Sequence, residues 1–184
     1  MINDLLISKL NQADIKSAYQ VFEKSIPDAF EKEGLCLLKE DIENEIAFKK
    51  HLLDISLNQT DSHVIFLVAR LGDTVVGTIS FGACGEDIRI CTEDQLKDIG
   101  ELGSLYVLPG YQGQGVGSSL INAMIAHLHK QGIDQFCLDS GYKRAQKRWL
   151  RKFGVPYKVV KDYWGPGFEH MIWLCKVSDF IKAE

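Results

Sequence analysis

Nine residues between an apolar run and an amphipathic segment constrain this chain more than any others. GYQGQGVGS, residues 110–118, holds four glycines and no charged side chain. It follows LGSLYVL (102–108) and leads into VGSSLINAMIAHLHK (116–130). A glycine-rich turn that opens a helix leaves backbone N–H groups uncovered at the positive end of the helix dipole, which suits an anion such as a pyrophosphate. Three phosphate loops have this outline. A nucleoside-triphosphate loop needs Lys and then Ser or Thr after its second glycine, but Gly115 is followed by Val116 and Gly117. A dinucleotide loop needs a third glycine where Ser118 stands, and Asp134, at about the right distance for a ribose contact, precedes a strand rather than ending one. The pattern Gln112-x-x-Gly115-x-Gly117 remains, beside the plainer reading of a tight turn whose glycines only permit packing.

The surroundings of the loop read as alternating helices and strands. LLISKL (5–10) suits a first strand. Ile15, Ala18, Tyr19, Phe22 and Ile26 keep helical spacing behind an Asn11/Asp14 capping pair, with Pro27 as the expected stop. EDIENEIAFKKHLLDISL (40–57) repeats that period. HVIFLVARL (63–71) and TVVGTISFGA (74–83), joined by Gly72-Asp73, carry a hairpin signature. A polar connection over 84–98 has no assigned structure, and GELGSLYVL (100–108) is the next strand. Beyond the loop, Val116, Leu120, Ile121, Met124, Ile125 and Leu128 form one apolar helical face that ends at Gly132. FCLDS (136–140) is strand and KRAQKRWLRKF (143–153) helix. VPYKVVKDYW (155–164) and EHMIWLCKV (169–177) close the chain as a hairpin. The expected fold class is α/β, helices packed on a mixed sheet, in one domain spanning 1–184.

Charge and cysteine usage narrow the function. A net charge of -4 argues against nucleic acid or an anionic membrane as the main partner. Five scattered cysteines without a CxxC pair read as reduced thiols rather than a disulfide framework or zinc site. His127 and His129 are two apart on a helix and share no face, so no metal is expected. With no apolar run of 18 residues and no signal-peptide pattern, the expected location is cytoplasmic.

LGSLYVLPGYQGQGVGSSLINAMI (102–125) resembles the acetyl-coenzyme A-binding segment of the GNAT acetyltransferase superfamily, matching at Leu105, Val107, Gln112, Gly115 and Gly117. The element order fits that family over most of the chain. The resemblance implies a central mixed, mostly antiparallel sheet of about seven strands with helices on both faces. It implies transfer of the acetyl group of acetyl-coenzyme A to a primary amine by direct attack in a ternary complex. Leu105, Tyr106 and Val107 would line the pantetheine arm, with a backbone N–H at Val107 facing the thioester oxygen. Gln112, Gly113, Gln114, Gly115, Val116, Gly117 and Ser118 would cradle the pyrophosphate. Lys143, Arg144 and Lys147 would pair with phosphates, unless they simply form a solvated face.

Glu101 stands where family members with a glutamate base carry it. Its apolar neighbours Ile99 and Leu102 would favour a raised pKa; the alternatives are an exposed strand-start residue or a salt-bridge partner. The tyrosine that many members use as general acid is replaced here by Leu150, which leaves Tyr142 or Tyr157 as candidates, or a thiolate that departs unaided. His170 and Glu169 fall where acceptor-site side chains often lie in the family, and Tyr163 and Trp164 stand just before the GPGF turn; for both pairs the alternative is a core or loop-anchoring role. The resemblance implies a small-molecule or peptide amine as acceptor, and a homodimer is compatible with the sequence. Two rivals stand: a non-catalytic acyl-coenzyme A-binding or sensing module, and a nucleotide-dependent oxidoreductase.

Overall fold

The hydrophobic period changes along the chain, and the elements change with it. The computed structural model describes residues 2, 4–58 and 63–181. Strand β1 (Leu6–Lys9) runs into a 3-10 turn at Gln12–Asp14 that opens helix α1 (Ile15–Lys32). The turn is a capping box: Asn11 Oδ1 accepts the Ala13 N–H and Asp14 Oδ2 accepts the Asn11 N–H, both at 2.8 Å. Pro27 does not stop α1, contrary to the sequence reading, and lies inside it. The apolar face runs on past the proline. Val21, Phe22 and Ile26 before it are fully buried and Phe30 after it nearly so, which offsets a cost of roughly 3 kcal/mol for a helical proline.

Helix α2 (Lys39–Asn58) follows, then β2 (Ile65–Leu71) and β3 (Thr74–Gly82). These two strands pair antiparallel and close with Leu71 opposite Thr74, so Gly72 and Asp73 form a two-residue turn with Gly72 at φ 57°. The polar connection, to which the sequence assigns no element, contains helix α3 (Glu86–Thr92). Strand β4 (Glu101–Val107), helix α4 (Val116–Lys130), strand β5 (Gln135–Ser140) and helix α5 (Lys143–Phe153) come where the sequence placed them. The closing hairpin is shorter on its first arm than expected: β6 spans Lys158–Val160 and β7 spans His170–Lys176. Residues 161–167 turn instead, with Asp162, Gly165 and Gly167 at positive φ.

The seven strands hydrogen-bond in the order β1-β2-β3-β4-β5-β7-β6. Pairings β1–β2, β2–β3, β5–β7 and β6–β7 are antiparallel, and β4–β5 is parallel. The sheet is therefore mixed and mostly antiparallel, flanked by helices, as expected. The chain forms two compact units, Met1–Phe81 with Ser104–Ala126, and Gly82–Gly103 with His127–Glu184. In the first, Phe22, Leu120 and the β2–β3 hairpin residues Phe66, Val68, Val76 and Ile79 are buried, with Phe22 meeting Phe66 edge-on. In the second, Phe136 meets Phe153 and Phe180 edge-on or tilted, while Trp173 donates its indole N–H to Gly154 O at 2.9 Å. None of the helices among the described residues is long and apolar enough to cross a membrane.

Candidate functional site

Within the first unit, the glycine loop is held by one amide side chain. Gln112 Nε2 donates to Val107 O at 3.0 Å and to Asp28 Oδ2 at 3.1 Å, and its Oε1 accepts from Lys32 Nζ at 2.9 Å. Lys32 also pairs with Asp28 one helical turn away, at 2.6 Å. The side chain of Gln112 is thus engaged with α1, and what it leaves for a ligand is backbone. Gly113 and Gly115 take φ of 75° and 93°, in the left-handed region that favours glycine. A Cβ placed at Gly110 or Gly113 would meet nothing within 4 Å, so the loop presents bare backbone to open space. Helix α4 begins immediately after it with no acidic residue in its first turn. The first N–H groups of that helix have no intrahelical acceptor. A group of this shape and polarity fits a pyrophosphate.

The start of α4 is pressed into place from below. A Cβ at Gly77 on β3 would fall 3.0 Å from Leu120 Cδ1 and 3.1 Å from Tyr106 O, so a side chain there would have to press its neighbours aside. Leu105, Tyr106 and Val107 are half-buried on β4. Tyr106 O–H donates to Glu45 Oε1 at 2.9 Å and its ring meets Phe22 edge-on at 5.8 Å. Val107 O accepts a second bond, from Ser25 Oγ at 3.0 Å. Upstream, Ser104 lies at φ 48°, a left-handed residue in the middle of a strand, and Thr78 Oγ1 donates to its carbonyl at 2.9 Å. Its own buried hydroxyl has no hydrogen-bond partner among the described residues.

Within the second unit, polar groups collect on one sheet face. Glu101 pairs in register with Cys137, and this is the one residue pair that the β4–β5 ladder makes among the described residues. Asp139, two residues along β5, shares the face of Cys137. Glu101 Oε2 accepts the Gly85 N–H at 2.7 Å. Burial pushes the Cys84 thiol above its ordinary range; a hydrogen bond with Cys137 opposes this, and the charges of Glu101 and Asp139 add to it. The Cys137 thiol rises for the same first reason, with Cys84 and Glu101 contributing. Both carboxylates therefore act on the same pair of thiols.

Asp139 Oδ2 lies 2.9 Å from His170 Nε2, and Trp164 Nε1 donates to His170 Nδ1 at 3.0 Å. Trp164 packs over Gly141, where a Cβ would fall 2.5 Å from its indole nitrogen. Tyr163 O–H donates to Asp87 Oδ1 at 2.8 Å, and burial and that carboxylate hold its pKa high. The buried Gln146 ties α5 to the end of β5 and to the residue before β7, donating at 2.9 Å to Ser140 O and to Glu169 O.

The structure thus gathers Glu101, His170, Trp164 and Tyr163 with Asp139, which the sequence reading had not singled out. Of the two tyrosines named as acid candidates, Tyr142 precedes α5 and donates its N–H to Ser140 Oγ at 3.0 Å. Tyr157 is exposed and donates to Gln95 Oε1 at 2.9 Å. Lys143, Arg144 and Lys147 lie on the exposed side of α5, with Lys143 Nζ 4.4 Å from the Phe168 ring centre. Leu150 is exposed on the same helix. Among the described residues no group of three His, Cys, Asp or Glu side chains is placed to hold a metal ion.

Comparison with solved structures supports the fold. A GNAT-family chain from Desulfovibrio desulfuricans superposes with a TM-score of 0.70 at 16% identity, over 94% of this chain and 99% of that one. The PaiA N-acetyltransferase of Thermoplasma acidophilum, solved with coenzyme A, gives 0.67 at 20% identity over 94% and 98%. The ribosomal-protein-S18-alanine N-acetyltransferase of Escherichia coli gives 0.62 at 17% identity over 98% and 97%. No curated protein matches the sequence significantly. The family model described as "Acetyltransferase (GNAT) family" matches residues 21–155, from within α1 to just beyond α5. The chain belongs to the acetyltransferase (GNAT) family.

Proposed function

We propose that this protein transfers the acetyl group of acetyl-coenzyme A to a primary amine by direct attack in a ternary complex. The observation that carries this reading is the loop of residues 110–118, whose bare glycine backbone opens α4 and whose shape Gln112 holds from behind. Backbone N–H groups from Gly113 to Ser118 would hold the pyrophosphate, and Leu105, Tyr106 and Val107 the pantetheine arm. Bound acetyl-coenzyme A supplies an acetyl thioester, a carbonyl group already activated towards an amine.

The chain's own chemistry is proton transfer and orientation. An amine attacks only after losing a proton, and Glu101 is the carboxylate that β4 offers for it. The Gly85 N–H fixes one oxygen of Glu101 and so helps hold the carboxylate in place. An N–H near Val107 would donate to the thioester oxygen as it gains charge. Lys143, Arg144 and Lys147 are the cations proposed to meet phosphate. The protein is proposed to act as a cytoplasmic single-domain enzyme on a small-molecule or peptide amine.

One feature favours a second reading, an acyl-coenzyme A-binding module without catalysis: exposed Leu150 stands where the family resemblance leads one to expect a tyrosine. Thiol release from acetyl-coenzyme A across a panel of amines decides between them. Release with at least one amine supports the enzyme. Thermal stabilisation by coenzyme A without release from any amine supports the binding module, and stabilisation by NAD alone rejects both.

A further inference from the structure

Resting on the reading of an amine acetyltransferase, we infer that Asp139 is a substrate-facing carboxylate that holds the ammonium group of the acceptor, and that Trp164 and His170 are its positioning residues. The chemistry of the relay fixes its direction. An indole N–H can only donate, so His170 Nδ1 must accept from Trp164 at 3.0 Å. The imidazole proton then sits on Nε2, which donates to Asp139 Oδ2 at 2.9 Å. Both ring nitrogens are committed and the His170 side chain is only 3% exposed, so the imidazole has no atom left for a substrate.

Asp139 is different. Its side chain is 23% exposed, and Oδ1 makes no hydrogen bond among the described residues. One oxygen is anchored and the other is presented. No lysine or arginine forms an ion pair with it among the described residues. It also shares a sheet face with the register pair Glu101 and Cys137, and its charge acts on the same thiols as Glu101 does.

The frame around the relay is specialised to keep it. Gly141 has no Cβ, which alone lets the indole lie against the chain there. Gln146 locks the backbone at Ser140 and Glu169, the neighbours in sequence of Gly141 and His170. Tyr163 covers His170 with ring centres 5.1 Å apart. A buried histidine that only filled space would need neither a fixed tautomer nor an open carboxylate at the end of its hydrogen bond.

The test uses the full chain and the best amine found by the thiol-release panel. Asp139→Asn keeps the size of the side chain and removes its charge. The expected result is a rise in KM for the amine of roughly tenfold, the scale of one charge-assisted hydrogen bond, with KM for acetyl-coenzyme A unchanged. The alcohol analogue of the same amine carries no charge, so its inhibition constant should stay near the wild-type value. Trp164→Phe keeps the ring and removes the donor; it should raise the amine KM by roughly threefold. In 15N spectra, His170 should show a protonated Nε2 in the wild type and lose that single tautomer in Trp164→Phe. Equal losses for amine and alcohol, or an unchanged amine KM in Asp139→Asn, overturn the inference and leave the acetyltransferase reading standing. If Asp139→Asn does not fold, Trp164→Phe with wild-type amine KM overturns it. A wild type that releases no thiol with any amine overturns both.

Discussion

Gly85 N–H donates to Glu101 Oε2 at 2.7 Å, and a methyl group added to Gly85 would fall 2.5 Å from that same oxygen. The proposed base is thus aimed by a residue whose missing side chain leaves the carboxylate its place. Gly85→Ala should push the carboxylate aside and lower kcat by about tenfold, since a small misplacement of a reacting group is expensive. Thermal melting with and without coenzyme A checks specificity. A variant that loses kcat while keeping its stabilisation by coenzyme A has lost the aim of Glu101 and nothing more.

Glu101→Gln removes the proton acceptor while retaining the side-chain volume and an acceptor oxygen for Gly85. A fall in kcat of about a hundredfold is expected, with binding of coenzyme A nearly unchanged by calorimetry. Turnover equal to wild type at saturating amine across the pH range would remove Glu101 from the mechanism.

Arg70 Nε donates to Asp14 Oδ1 at 2.7 Å, a second guanidinium nitrogen reaches Oδ2, and both side chains are nearly buried. Burial alone would raise the carboxyl, but the Arg70 bonds and the Asn11 N–H outweigh it, and Asp14 sits below its ordinary 3.8. A depressed folded-state pKa means stability that is present above the unfolded value and lost as pH falls through the folded one. Arg70→Met leaves a buried carboxylate unpaired and should cost about 3 kcal/mol near neutral pH. Its Asp14 would then bind a proton more readily folded than unfolded, so the contribution of this group to the pH dependence of stability should change sign, its window lying above the unfolded pKa instead of below it.

Thiol reactivity should separate one cysteine from the rest. Cys36 is exposed, whereas burial raises the pKa of Cys84, Cys91, Cys137 and Cys175, the last to about 12. An aromatic disulfide reagent near neutral pH should titrate Cys36 quickly, half-buried Cys84 more slowly, and Cys91, Cys137 and Cys175 only on unfolding. A third thiol reacting in the native protein would show that one of the buried cysteines becomes exposed.

Elements with strong punctuation were legible from the residues. Gly132 closes α4 near its predicted end, and the Asn11/Asp14 capping pair forms as written. The errors came where distant packing overrode a local signal. Pro27 is a stop only until Phe30 is seen to be buried. Helix α3 is short, and only Ile88 and Cys91, clustering with Leu96 beyond the helix and with Cys137 and Ile172, reveal its inner face. Glu101, Gln112 and the glycines were readable because strand, loop and helix are contiguous. Asp139 was not: it is one polar residue in a strand, and the partner that gives it meaning lies 31 residues away across a sheet pairing. Lys32 was hidden for the same reason, 80 residues from the glutamine it holds.

The clamp on Gln112 has a thermodynamic consequence for whatever enters the loop. Three hydrogen bonds and the Lys32–Asp28 pair set the loop's shape during folding rather than at the moment of binding. Little conformational freedom is then left to lose when an anion arrives, and association should be fast and enthalpically favourable. Gln112→Ala would shift that ordering onto the binding step. Affinity would weaken through entropy, with the contacts to the ligand themselves intact.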